Sequence, residues 1–592
     1  MGKKFLAGLT IIFLFTFGYS LQYIESSTGL TPPVWEGGRT ELEFADINND
    51  GYLDILSIGD HGCPNINATE HGVMVWFGDG HGSWTNYMNG NFGYGGIAIG
   101  DVNNDGWLDI GYGMHHDYSS NDFGDQLMEV ALGDGTGRNW IPWDDSLGMN
   151  GQTWGMFGTD FADIDNDGDL DIGSVSFGSG DGIHIYQNLM NGAWHQCFGF
   201  IGGNSGCEFQ FGDINKDGNQ DFVVTHQYSS VYFGDGHGNF TTAMHNLPAL
   251  GAYENYRSVA LADVDNDGGL DFGFLTPAGI LKVYLFDELG DTWQNVTGNL
   301  PTSIYQRANL WDVNGDGFSD VVAQGSGTVR IWLGNGQGVW SDSCSFTTTS
   351  PGTGQAMTVR GDIDNNGYAD IAMVCDEGSY PSDHNVMHVF KETSVPLSLS
   401  VTPIFPKGGE KFIAGSVNFI RWISKVPNNE TAHVSIQFSS TGANGPWIPL
   451  FNNLPNNGFK QWTIPLTNSN NCYLRLKVFT DAESTLAVYH APFTIVNPAY
   501  VYDEPNKIIN KPLVCLIQNN NIRIPVLLTR PDNIAINIYS IDGRTVYSDN
   551  IRLNAGEQFL TIERPVFSDG IYFLNLDASD FHQSIKIVKI RY

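Results

Sequence analysis

The sequence predicts an all-β fold, a seven-bladed β-propeller followed by two small β-sandwich domains. Three observations carry this. A nine-residue acidic pattern occurs seven times with a spacing near 50 residues, the period of a propeller blade. Short β-type runs flank the copies, as in Asp54-Ile55-Leu56 and Asp320-Val321-Val322-Ala323. Glycine supplies 72 of 592 residues, which favours turn-rich sheet over helical bundles. The length exceeds one ordinary core, so several domains are expected.

Charge is unevenly placed. The chain holds 65 acidic and 28 basic side chains, a formal charge of -37. A field of that sign repels nucleic acid and anionic membrane, so neither is expected as a partner. Residues 21–399 carry 51 acids and 9 bases, whereas 400–592 carry 14 and 17. The first segment therefore uses carboxylates for a local purpose.

Residues 1–20 read as a secretory signal peptide. Lys3 and Lys4 precede an apolar run from Phe5 to Phe17, and Gly18 and Ser20 are small residues before a cut. The run is shorter than the about 20 residues of a membrane span, and no later run is long enough, so no transmembrane span is expected.

The repeated pattern is Asp-x-Asp/Asn-x-Asp/Asn-Gly-x-x-Asp. Its polar positions 1, 3, 5 and 9 are Asp46, Asn48, Asp50 and Asp54 in loop 1, and Asp101, Asn103, Asp105 and Asp109 in loop 2. Loop 3 has Asp163, Asp165, Asp167 and Asp171; loop 4 has Asp213, Asn215, Asp217 and Asp221. Loop 5 has Asp263, Asp265, Asp267 and Asp271; loop 6 has Asp312, Asn314, Asp316 and Asp320; loop 7 has Asp362, Asp364, Asn366 and Asp370. Alternate oxygen ligands on a tight loop suit a hard cation, and an all-oxygen set favours calcium over zinc or copper. Up to seven Ca2+ are expected. Position 7 varies freely, so it is read as offering only its carbonyl. EF-hands are excluded, because position 12 is never glutamate (Ser57, Tyr112, Ser174, Val224, Phe274, Ala323, Met373) and the flanks are not helical.

Each unit continues with a third strand and a Gly-rich hairpin, such as Gly78-Asp79-Gly80-His81-Gly82 and Gly334-Asn335-Gly336-Gln337-Gly338. An aromatic then opens the fourth strand: Trp84, Trp194, Phe240, Trp293, Trp340. These units resemble the FG-GAP/VCBS repeat family, related to the integrin α head. The resemblance covers roughly residues 22–395 and implies a propeller, one calcium per loop and extracellular recognition or adhesion. Unit 7 lacks a fourth strand, and Tyr23 to Leu30 resembles Trp293 to Leu300. The N-terminal strand is therefore expected to complete the last blade beside Val386 to Phe390.

Two modules follow. Pro406 to Trp422 begins a stretch similar to the Ig-like sandwich of the Ser/Thr-rich GPI-anchored family. Ile538-Tyr539-Ser540-Ile541-Asp542-Gly543-Arg544, Ser568-Asp569-Gly570-Ile571-Tyr572 and Lys586-Ile587-Val588-Lys589-Ile590 resemble the type IX secretion C-terminal sorting domain. That resemblance implies the type IX machinery as a partner. The expected layout is 1–20 signal peptide, 21–395 propeller, 400–497 Ig-like sandwich and 510–592 sorting domain, in a protein secreted or held on the outer-membrane surface.

The expected function is non-enzymatic binding of an extracellular glycan or protein. The alternative is a carbohydrate-active enzyme on a calcium propeller scaffold. No nucleophile elbow, HExxH, P-loop or dinucleotide fingerprint is present. Connections between strands two and three are long in units 7, 1 and 2, which are neighbours in a ring. They carry the candidate ligand residues His61, His115, His116, Asp117, Tyr118, Tyr380 and His384. Cysteine leaves two pairings open, Cys197 with Cys207 and Cys63 with Cys375.

Overall fold

A computed structural model describes residues 21–31, 33–38, 40–59, 71–93, 95–115, 122–148, 155–176, 182–248, 258–348, 352–379, 382–497, 516–518, 521–528, 532–540, 544–553, 556–562, 570–577 and 582–589. They contain strands and one short 3-10 turn, Pro427–Asn429, but no α-helix. Residues 1–20, expected to be a signal peptide, lie outside the described residues. No helix among them is long and apolar enough to cross a membrane.

Seven antiparallel sheets make the propeller. Blade 1 runs Leu42–Ala45, Asp54–Ile58, Val73–Gly78 and Trp84–Asn89, in chain order. Blades 2 to 6 repeat this arrangement of four consecutive strands. Buried clusters join neighbours all the way round. One packs Ile58 and Val75 of blade 1 against Ile110 and Ala131 of blade 2. The last packs Val374 and Val389 of blade 7 against Ile55 and Trp76 of blade 1. Second strands are thus covered on both faces, and Asp54–Ile58 is buried at every residue. This explains why they read as continuous apolar runs rather than as alternating ones.

Fourth-strand tryptophans fasten the blades edge to edge. The indole Nε1 of Trp194 donates to Trp143 O at 2.8 Å, and that of Trp340 donates to Val296 O at 2.9 Å. Trp84 does the same to Ser26 O at 2.9 Å. Each ring is buried, and its one polar atom is satisfied by the preceding blade.

Blade 7 is built from both ends of the propeller sequence. Thr353–Gly361, Asp370–Glu377 and His384–Glu392 supply three strands, and Tyr23–Glu25 supplies the fourth. The register pairs Tyr23 with Glu392 and Glu25 with Phe390. A second short strand, Trp35–Glu36, also pairs with Asn385 and His384, which the sequence did not indicate. The seam is clasped by His388, whose Nδ1 lies 2.8 Å from Glu25 Oε1 and whose Nε2 lies 3.0 Å from Glu377 Oε1. Leu30 is buried, and its carbonyl accepts from Trp76 Nε1 at 3.0 Å.

The described residues fall into two compact units. One comprises the residues up to 411 with 417–462 and 471–493, and the other comprises 412–416, 463–470 and the residues from 494 onward. In the first unit Ser400–Phe405 pairs with Val417–Lys425, and His433–Ser439 pairs with Ile448–Pro455. In the second, Asp532–Ser540 lies between Thr545–Leu553 and Gly570–Asp577, with His582–Lys589 beyond. Ile534, Ile536 and Ile538 alternate with less buried residues there, as a sheet with one covered face requires.

Cys197 is a free thiol whose Sγ lies 3.5 Å from Ile185 O, which corrects the pairing with Cys207. Cys63 lies outside the described residues, and Cys375 is buried and free.

Truncating Leu30 to alanine removes a buried anchor of the seam between blades 7 and 1. Unfolding in urea should show a loss of about 2–5 kcal/mol, with a matching loss absent when the exposed Ile24 is truncated.

Candidate metal centres

All seven acidic loops share one local construction. Position 1 accepts the position-6 glycine amide on Oδ2, at 3.0 Å from Gly51 to Asp46 and 2.8 Å from Gly106 to Asp101. Position 5 accepts the position-7 amide, as Asp50 Oδ1 does from Tyr52 N at 2.9 Å. Glycine at position 6 has positive φ throughout, +92° at Gly51 and +86° at Gly367, a conformation other residues rarely adopt. Position 4 is also left-handed, which the sequence reading missed: Asn49, Asn104, Asn166, Lys216, Asn266 and Asn365 have φ of 55–61°. The visible signal was asparagine at five of these positions, the non-glycine residue best suited to that region.

Position 9 does more than close a cage. It is the first residue of the second strand in every blade. Asp54 Oδ2 accepts Ile47 N at 3.1 Å, while its Oδ1 accepts Gly78 N from the end of the third strand at 2.9 Å. The same pair of bonds recurs at Asp109, Asp171, Asp221, Asp271, Asp320 and Asp370. One buried carboxylate thus ties its loop to the strand beyond.

In loops 3, 5 and 7 the carboxylates converge. Asp163, Asp165 and Asp171 bring one oxygen each within 4.8 Å of one another, as do Asp263, Asp265 and Asp271, and Asp362, Asp364 and Asp370. These are the loops whose position 3 is aspartate. Where position 3 is asparagine its amide turns to the position-5 carboxylate, as Asn48 Nδ2 does to Asp50 Oδ2 at 2.9 Å. Loop 3 holds a further carboxylate, Asp169 at position 7. It is 4% exposed and its Oδ1 has no hydrogen-bond partner, so the expectation that position 7 offers only a carbonyl is too narrow there.

Burial pushes these acids up. Asp54, Asp109 and Asp221 are raised to about 8, and Asp171, Asp271 and Asp370 rise well above the usual range through burial and neighbouring carboxylates. Asp46 is raised to about 6 by burial, and its Oδ1 is buried with no hydrogen-bond partner. Crowded, desolvated oxygens of this kind suit a hard divalent cation, whose charge favours their ionised form. Positions 1, 3, 5 and 9 would hold it.

Neighbouring loops touch. Asn104 Nδ2 donates to Gly168 O at 3.3 Å, Asn166 Nδ2 to Asn219 Oδ1 at 3.0 Å, and Asn266 Nδ2 to Gly317 O at 3.1 Å. Lys216 of loop 4 reaches Asp267 of loop 5 at 2.8 Å. The loops thus line one end of the blades.

The strands following the propeller contact part of that end, while Tyr52, Trp107 and Phe318 there stay exposed. Asn457 Nδ2 donates to Asp46 Oδ2 at 3.1 Å, Gln461 Nε2 to Asp101 O at 2.8 Å, and Val417 N to Asp163 Oδ2 at 2.8 Å. Lys407 Nζ sits between loops 5 and 6, 3.1 Å from Asn266 Oδ1 and 3.2 Å from Gly317 O. Val426 N donates to Asn365 O of loop 7 at 2.8 Å. Arg421 is partly buried, its guanidinium 5.0 Å from the Phe459 ring and 5.9 Å from the Trp311 ring. Burial first, then Arg360, lowers it to about 10. A cavity of about 40 Å³ beside it is lined by Asp46, Trp311, Arg360, Arg421 and Asn457, room for water but not for a ligand.

Of the candidate ligand residues, His61, His116, Asp117, Tyr118 and Tyr380 lie outside the described residues. His115 packs against Phe157, with ring centroids 6.1 Å apart. His384 Nδ1 lies 3.3 Å from Ser382 O. Both stand at the blade ends opposite the acidic loops, since antiparallel strands place the first and second connections at opposite ends.

The strand order and the repeated acidic loops define a repeat β-propeller with Asp-rich loops. Residues 46–112, 163–224, 213–274 and 312–373 match the FG-GAP-like repeat, and 518–590 match the secretion system C-terminal sorting domain. The chain therefore carries FG-GAP-like repeats and a C-terminal type IX sorting domain, which indicates export to the cell surface or the extracellular space. No curated protein matches it. Similar solved structures include a protein from Lactobacillus plantarum, 12% identical over 54% of this chain and 87% of that one, with a TM-score of 0.35. The WD40 repeats of RRP9 are 10% identical over 61% and 97%, with a TM-score of 0.35. The SapL1 lectin in complex with alpha methyl fucoside is 13% identical over 53% and 98%, with a TM-score of 0.29.

The two roles within a loop separate experimentally. Asp109→Ala should destabilise by about 2–5 kcal/mol even in excess chelator, because two backbone amides lose their acceptor. Asp165→Ala should lower stability in calcium and change little in chelator. Thermal melts of both variants, with and without calcium, check this.

Proposed function

We propose that this protein is a calcium-stabilised binding or adhesion propeller that works outside the cell. In this reading residues 1–20 are removed as a signal peptide, 21–395 form the recognition domain, 400–497 form an accessory sandwich and 510–592 serve the type IX machinery. Calcium occupies the seven loops as a structural ion. It binds the folded loops and stabilises them by mass action.

One observation carries the placement of the ligand site. The loop end of the propeller is partly occupied by the chain's own strands, through Asn457, Gln461, Val417, Lys407 and Val426. In this reading recognition falls to the opposite end, from which the strands of the adjacent blades 7, 1 and 2 lead into their long connections. Their histidines, tyrosines and aspartates suit a polar glycan or protein surface.

Replacing these three connections with the short Gly325 to Thr328 turn of blade 6 tests the reading. The variant should keep its calcium-dependent melting and lose binding to a panel of neutral and anionic glycans and matrix proteins. Binding retained by the variant would place the site elsewhere. Chelation of the unmodified protein should lower its melting temperature, and an unchanged melt would remove calcium from the account.

A further inference from the structure

The strands that contact the loop end reach the position-1 carboxylates themselves. Asp46 Oδ2 accepts two donors, Gly51 N at 3.0 Å from its own loop and Asn457 Nδ2 at 3.1 Å from outside. Its other oxygen, Oδ1, is buried without a partner. Asp163 repeats this. Its Oδ2 accepts Gly168 N at 3.2 Å and Val417 N at 2.8 Å, while its Oδ1 accepts only Asp167 N from inside the loop, at 3.1 Å. In both loops the outside donor lands on the oxygen already held by the position-6 glycine, so it fixes the carboxylate's rotation without blocking the other oxygen.

The approach is close elsewhere too. A Cβ on Gly268 of loop 5 would stand 2.2 Å from the carbonyl carbon of Gly409. Lys425 lies over the Tyr368 ring of loop 7, its Nζ 4.5 Å from the centroid. These contacts depend on the loops keeping their tight conformation.

Resting on the calcium reading above, we propose that Asn457 and the Val417 amide are positioning groups for the cation sites of loops 1 and 3. They orient Asp46 and Asp163 from outside the propeller. Cation binding and docking of these strands then stabilise each other, because coupling between two equilibria is reciprocal. Removing the cations loosens the loops, and these strands lose their seat on the acidic end.

The test uses the full chain and calcium itself. Calorimetric titration after chelation should show that Asn457→Ala weakens a subset of sites by roughly tenfold, the usual scale for outer partners of metal ligands, with the remaining sites unchanged. In the unmodified protein, cleavage by a lysine-specific protease after Lys407 should be slow in calcium and fast in chelator. In Asn457→Ala the calcium concentration giving half protection should rise. Equal calcium affinity in the variant overturns the positioning role. Cleavage at Lys407 indifferent to chelation overturns the coupling and needs no variant. Absence of calcium uptake by the unmodified protein overturns the metal reading, and this inference with it.

Discussion

The rest of the propeller depends on one buried carboxylate per blade. Each second strand opens with an aspartate whose two oxygens accept amides from the acidic loop and from the end of the third strand, as Asp221 does from Ile214 at 2.9 Å and from Gly234 at 2.8 Å. An ionised carboxylate in apolar surroundings is costly unless it is fully hydrogen-bonded or paired with a cation. Two amides meet part of that cost. The neighbouring acids at positions 1, 3 and 5 raise that cost further, and protonation or a bound cation would relieve it. The strand framework and the candidate metal site thus share a residue.

Much of this was legible in the sequence, for physical reasons. The acidic loops declare themselves because position 6 needs glycine and the oxygen ligands alternate. Closure of the ring by Tyr23–Glu25 was legible because blade 7 lacks a strand and the N-terminal segment resembles one. Other features were not. The role of Trp194 as an edge-to-edge fastener depends on where its indole N–H points, and a linear pattern does not encode that. Asp169 was hidden because its position is unconstrained in the other loops. The contact of Asn457 with Asp46 joins residues 411 positions apart, and neither lies in a pattern that names the other.

The charge division of the chain also acquires a structural meaning. The propeller concentrates its acids at one end, and the strands that follow bring Lys407, Arg421 and Lys425 to that end. Glu43 and Asp160 lie near Arg360 and Arg421, and these two arginines oppose the rise that burial imposes on both acids. Few of these bases make direct contacts with loop carboxylates; Lys407 bonds to carbonyl and amide oxygens. Such placement eases the repulsion among the carboxylates without engaging them directly.

The split composition of blade 7 has a consequence for the order of assembly. Blades 1 to 6 are runs of neighbouring hairpins, able to form as each stretch leaves the ribosome or a translocation pore. The seventh joins Gln22 to Glu392, 370 residues apart. A chain stopped before residue 384 retains an open sheet edge, which is a site for chaperone capture or proteolysis. The seam therefore acts as a checkpoint on completeness, since only a chain carrying both ends of the propeller can hide its last edge.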